Sequence, residues 1–211
     1  MLFLVNFDKI LMMSKIFVFV VLIAFNSGFC QKKFNPIDVE KFQMNINSEY
    51  ADAKTSPLEE KDLKKFKTLE FYPVSNKYFV NAKLVKAKNE KAFEMKTSTA
   101  RKPKYIKYGT VSFVIDGITL QLNVYQNVEL SKTEEYKNSL FLPFSDLTCG
   151  KESYIGGRYI DLKIPNGNMI AIDFNQAYNP YCAYNHKYSC PIVPMENDLN
   201  VAIKAGVKTF H

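Results

Sequence analysis

Histidine is almost missing from this sequence: only His186 and the terminal His211 occur in 211 residues. A Ser-His-Asp or Cys-His arrangement would have to rest on His186 alone. Cysteine is scarce too, and Cys149, Cys182, His186 and Cys190 lack the close paired spacing of structural zinc sites, so no metal is expected. With 8 glycines in the chain, the Gly156-Gly157 pair is notable, but it lacks the lysine and following helix of a phosphate loop. No cofactor motif is present, and none is expected to be bound. The apolar run IFVFVVLIAF at 16–25 is too short for a membrane span. There is no internal repeat and no low-complexity linker. Lys and Arg number 28 against 21 Asp and Glu, a net charge of +7, but they are interspersed with acids across 59–104. That pattern is a solvated surface, and nucleic acid is not an expected partner.

What is present begins with a leader. Lys15 precedes the apolar run, which ends in Asn26-Ser27-Gly28-Phe29-Cys30, so residues 1–30 read as a signal peptide. Met13 is the favoured start, because Asp8 sits awkwardly upstream, and cleavage is expected after Cys30. Lipidation of Cys30 is the lesser reading, since bulky Phe29 precedes it. The mature chain, 31–211, should be one globular domain without a transmembrane segment, periplasmic or secreted. In an oxidising compartment Cys182 and Cys190 are expected to close a disulfide, contributing about 2–3 kcal/mol by the loop-closure argument.

Apolar positions Val39, Phe42, Ile46 and Tyr50 recur at helical spacing, which predicts a helix over 38–53. Ser56-Pro57-Leu58-Glu59 has the form of a capping box and predicts a second helix ending near Phe66. From Tyr78 the period falls to two. Val80, Ala82 and Leu84 mark one strand, with Phe93 and Met95 on a short partner. Val111, Phe113 and Ile115, then Asp116-Gly117, then Ile118, Leu120, Leu122 and Val124 predict a hairpin with a type I′ turn. Leu140, Phe141 and Leu142 read as a short buried strand. Ile160, Leu162 and Ile164 alternate, Pro165-Asn166-Gly167-Asn168 interrupts, and Ile170, Ile172 and Phe174 alternate again; this predicts a second hairpin. A last strand is expected over 199–206. The fold class is α+β and β-rich: a bent antiparallel sheet, sandwich or partial barrel, with the N-terminal helices packed on one side.

Residues 139–197 hold half of the glycines, five of the nine prolines and three of the four cysteines. Within them, FLPFSDLTCGKESYIGGRYIDL and IDFNQAYNPYCAYNHKYSCPIVPMENDLNVAIKAG resemble the DUF1684 family, a bacterial domain of unknown function. The resemblance runs from about residue 39 to residue 210. It brings no activity. It implies a compact β-rich domain whose marked residues are Gly156, Gly157, Arg158, Asp173, Asn175, Asn179, Pro180, Cys182, Cys190, Glu196 and Asn197. Cys149 and His186 depart from the family pattern, so no mechanism is placed on them.

Three chemistries can be written for this stretch. Gly156, Gly157 and Arg158, with Asp173, Asn175, Asn179 and Tyr184, could bind a small polar or anionic ligand. The plainer alternative pairs Arg158 with a buried acid such as Asp173 or Glu196. Asp146, Asp173 and Glu196 are candidate carboxylates for a hydrolase. Asp161, alternating outward beside Lys163, reads as solvated. Tyr154, Tyr159, Tyr178, Tyr181, Tyr184 and Tyr188 with their neighbouring Asn residues suit a sugar or aromatic-ligand pocket, or equally a loop packed on a sheet. Binding domain, hydrolase and structural envelope protein are therefore the three functional readings, in that order.

Overall fold

The computed structural model of the protein describes residues 32–210. The leader and Cys30 lie outside the described residues. Helix α1 spans Pro36–Ala51; Asn35 caps it by accepting a bond from the Ile37 amide at 3.2 Å, and Pro36 opens the first turn. Val39, Ile46 and Tyr50 are buried, as their spacing predicts. The second helix, α2, is a single turn at Glu60–Leu63, shorter than the capping-box reading. Ser56 instead accepts from the Leu58 amide at 3.2 Å, a local turn, and Leu58 is drawn into a cluster with Ile46, Tyr50, Leu69, Tyr184 and Val207. Burial of Leu58 wins over the cap.

Eight strands follow: β1 (Phe79–Lys86), β2 (Phe93–Glu94), β3 (Lys104–Ile115), β4 (Ile118–Asn127), β5 (Ser139–Asp146), β6 (Arg158–Lys163), β7 (Met169–Asp173) and β8 (Asp198–Leu199). The main path is β6-β5-β4-β3-β1-β7, antiparallel throughout and curled into a half-barrel, with β2 on β3 and β8 parallel to β5. The β3–β4 turn has positive φ at both Asp116 (52°) and Gly117 (76°), the type I′ geometry that matches strand twist. Along the strands every second residue enters the core: Val80, Ala82 and Leu84; Leu120, Leu122 and Val124; Leu140, Leu142 and Phe144; Ile160 and Leu162.

Two expectations are corrected. β6 and β7 are not a hairpin: β6 pairs with β5 and β7 with β1, on opposite edges of the sheet. The connection crosses between those edges, its Ile164 amide bonded to the Asn138 carbonyl (2.9 Å) and its Asn168 carbonyl to the Leu84 amide (2.7 Å). Alternation identifies a strand but not its neighbour. The expected last strand is likewise reduced to Asp198–Leu199. Beyond it Ile203, Ala205 and Val207 are buried in irregular backbone, and the carbonyls of Ile203 and Ala205 accept from the Arg158 side chain rather than from a strand.

Candidate functional site

The marked polar residues divide into a buried network and an open cleft. Arg158 stands at the start of β6 and is wholly buried. Its Nη2 meets Asp146 Oδ2 at 2.5 Å and the Ile203 carbonyl at 2.9 Å, while Nη1 donates to the Ala205 carbonyl. The guanidinium carbon lies 5.2 Å from the Phe144 ring centre and 5.9 Å from that of Tyr72. Asp146 in turn accepts from the Thr148 amide at 2.6 Å. The acid is Asp146, not Asp173 or Glu196. An anion arriving from solvent would find this guanidinium sealed, with both Nη groups already bonded, so the ligand-contact reading of Arg158 is corrected. Gly157 (φ 82°) lets the chain pass: a Cβ there would lie 2.6 Å from both the Phe144 carbonyl and Val193 Cγ2. Gly156 is exposed beside the Tyr154 ring.

Asn175 and Asn179 are also corrected from ligand contacts to internal fastenings, and Asn197 is a third. Asn175 Oδ1 accepts from the Ser75 amide and its Nδ2 donates to the Ser75 carbonyl, both at 2.9 Å, copying a strand pair. Asp173 holds that amide at 2.7 Å. Asn179 Nδ2 donates to the Lys208 carbonyl at 2.8 Å. Asn197 bridges β4 and β5, whose ladder is a single residue pair: it accepts from the Asn123 amide (2.8 Å) and donates to the Asn123 (2.9 Å) and Pro143 (2.6 Å) carbonyls. Tyr184 is buried edge-on against Tyr50, ring centres 4.9 Å apart, and burial raises its phenol. Glu196 is exposed and accepts from the Tyr125 hydroxyl at 3.0 Å. Asp146, Asp173 and Glu196 thus serve three separate sets of partners, and the structure does not assemble them as a catalytic pair.

The opening lies on the other face of β5 and β6. Odd-numbered residues there, Phe141, Tyr159, Asp161 and Lys163, point away from the core and floor a cleft of about 780 Å³. Helix α1 supplies one wall with Phe42, Asn45, Glu49 and Tyr50, and the segment from Tyr178 to Pro191 supplies another. Tyr178 donates to Asp161 at 2.8 Å, and Tyr181 donates to Glu49 at 2.5 Å. Water reaches the Asp161 side chain, yet the protein crowded around it pushes its carboxyl above the usual aspartate range; the Tyr178 bond and the Lys163 charge pull the other way. Burial, then the Asp161 charge, holds the Tyr178 phenol well above its ordinary value, so it remains a donor. Asp161, Glu49 and Asn45 were missed as site residues. For Asp161 the signal was available, since tyrosine and charge share the parity opposite Ile160 and Leu162; Asn45 and Glu49 stand on α1, where strand parity gives no signal.

Cys182 and Cys190 are free thiols placed together, the Cys182 amide donating to Cys190 Sγ at 3.1 Å. His186 is exposed at the tip of the same loop. Among the described residues no three His, Cys, Asp or Glu side chains gather as a metal site, and no helix is long and apolar enough to cross a membrane.

Comparison with known proteins gives a family and no activity. Residues 64–208 match the model of the family described as protein of unknown function, DUF1684. A solution NMR structure of an uncharacterized protein from Haloarcula marismortui superposes with a TM-score of 0.65 at 30% identity, covering 82% of this chain and 94% of that one. No curated protein matches.

Proposed function

Since the chain belongs to the DUF1684 family, which carries no assigned activity, we propose from the cleft itself that it is an exported domain binding a small, uncharged, hydroxyl-bearing ligand such as a sugar ring. Export rests on the leader pattern of residues 1–30. The ligand class rests on the walls. A cleft of about 780 Å³ is the size of small-molecule sites in general, and aromatic rings with a few placed polar groups are their usual lining. Here Phe141, backed by the buried Tyr105 and Tyr159 rings, lines the cleft with apolar surface, Asp161 and Glu49 offer acceptors, and Lys163 and Asn127 offer donors. Two carboxylates against one ammonium disfavour an anion, which narrows the earlier expectation of a polar or anionic ligand. The observation that carries the reading is the Tyr178–Asp161 pair: a carboxylate held at a raised pKa in an open cleft is poised to accept from a ligand hydroxyl.

The test is a thermal-shift and calorimetric series on the mature chain with neutral mono- and disaccharides, inorganic phosphate and choline. A neutral sugar should raise the melting midpoint, and Asp161→Asn should weaken its binding about tenfold or more, the loss of a charge-assisted bond. A response to phosphate or choline alone, or an Asp161→Asn variant binding like the native chain, would overturn the assignment.

A further inference from the structure

Beside the cleft, Cys182 and Cys190 form an asymmetric pair. Cys182 sits in the tight turn Tyr181–Ala183 and is half-exposed, whereas Cys190 is buried. The Cys182 amide contacts the Cys190 sulfur at 3.1 Å, so the two sulfurs are a side-chain rotation apart. Cys190 is fixed from the opposite side: its amide donates to Ser98 Oγ at 3.1 Å, and its carbonyl accepts from the Ser98 amide at 2.9 Å. Arg101 donates to the adjoining Ser189 carbonyl at 2.7 Å, putting a guanidinium next to the pair. Tyr154 Oη lies 3.8 Å from Cys182 Sγ. One thiol is therefore reachable, with the Tyr154 hydroxyl beside its sulfur, and its partner is held still behind it.

We propose that Cys182 and Cys190 are a thiol–disulfide exchange pair, Cys182 attacking and Cys190 resolving, which fastens and releases the loop that walls the cleft. The Cys182 thiolate attacks one sulfur of a low-molecular-weight disulfide; that S–S bond breaks and the departing thiolate takes up a proton. Cys190 then attacks Cys182 Sγ in the mixed disulfide, expelling the second thiol, which takes the other proton. Two protein thiols are oxidised to one disulfide, and the reagent is reduced to two thiols. Hydrogen bonding from Cys190, then from Tyr154 and Ser98, lowers the Cys182 thiol below its ordinary value against the opposing effect of burial. Cys190 is raised, first by its bond to Cys182 and then by burial, with Arg101 alone among nearby charges favouring its thiolate. A plain structural staple needs no such division between an accessible nucleophile and a sheltered partner.

The full chain is equilibrated across ratios of reduced to oxidised glutathione, quenched with iodoacetamide and mapped by peptide mass spectrometry. A Cys182–Cys190 linked peptide should rise and fall reversibly with the ratio. Cys190→Ser should accumulate a glutathionyl group on Cys182, while Cys182→Ser should leave Cys190 unmodified. In the reduced native chain, alkylation of Cys182 should reach half its maximum at a lower pH than that of a free cysteine. Absence of the linked peptide, a link that excess reduced glutathione never opens, or Cys182 alkylating no faster at pH 6 than a free cysteine would each overturn the proposal. None of these outcomes depends on whether the cleft binds a sugar.

Discussion

Arg158 Nη2 lies 2.5 Å from Asp146 Oδ2, and solvent reaches neither side chain. The pair joins the end of β5 to the start of β6 and, through the Ile203 and Ala205 carbonyls, holds the C-terminal segment against the core of the sheet. Arg158→Met should destabilise the domain by about 3–5 kcal/mol, because it strands a buried carboxylate. Asp146→Leu combined with Arg158→Met should recover part of that loss, the Thr148 amide remaining without its acceptor. Urea unfolding of the two variants checks both; a double variant no more stable than the single one would show that the carbonyl contacts, not the ion pair, carry the stability.

Asn197 does for β4 and β5 what backbone pairing does elsewhere in the sheet. Asn197→Ala leaves the Asn123 amide, the Asn123 carbonyl and the Pro143 carbonyl without partners, and a loss of about 3 kcal/mol is expected. Asn197→Asp should be at least as damaging at neutral pH, since it would face two carbonyl oxygens with a carboxylate. Denaturant midpoints rank them; an aspartate variant more stable than the alanine one would contradict the donor role.

What the sequence shows of this fold depends on how local the determinant is. Asp116-Gly117 specifies its own turn, so the β3–β4 hairpin was legible. The β6 and β7 alternation was just as clear, but their partners β5 and β1 are chosen by the curl of the whole sheet, which no short pattern encodes. Arg158, Asn175 and Asn197 were visible as unusual residues in a loop-rich stretch. Their chemistry, an ion or amide completing backbone hydrogen bonds, is the same chemistry a ligand site uses, and only burial separates the two. Asp161 reads as outward and solvated and is so, but the walls that α1 and the Tyr178–Pro191 segment raise around that face are set by distant parts of the chain.

Gly157 and Gly117 both have positive φ, yet alanine should cost them unequally. At Gly117 nothing lies within 4 Å of an added Cβ, so Gly117→Ala meets only the backbone preference, about 1 kcal/mol. At Gly157 the same strain is joined by contacts of 2.6 Å with the Phe144 carbonyl and Val193, next to the Arg158 network. A loss of at least about 2 kcal/mol is expected there. Thermal unfolding of the two variants side by side would reveal the difference, and equal shifts would mean that the 157 backbone relaxes freely.

The cleft carboxylate makes a prediction in which stability and binding move in opposite directions. A carboxyl whose folded pKa lies above its unfolded value favours folding while protonated. That contribution is complete below the ordinary value of 3.8 and is lost as pH rises through the raised folded value. At neutral pH the native domain therefore carries the penalty of an ionised Asp161 in crowded surroundings, and Asp161→Asn should melt at a higher temperature. The gap should close as pH falls toward the aspartate range, where the native side chain is neutral as well. Melting curves from pH 3 to pH 8 follow that gap directly. A gap that persists in acid would assign the gain to altered packing, and a variant that melts lower at neutral pH would mean that the Tyr178 bond and the Lys163 charge outweigh burial. If the stabilised variant also loses its response to sugar, the charge is one the fold tolerates and the site uses.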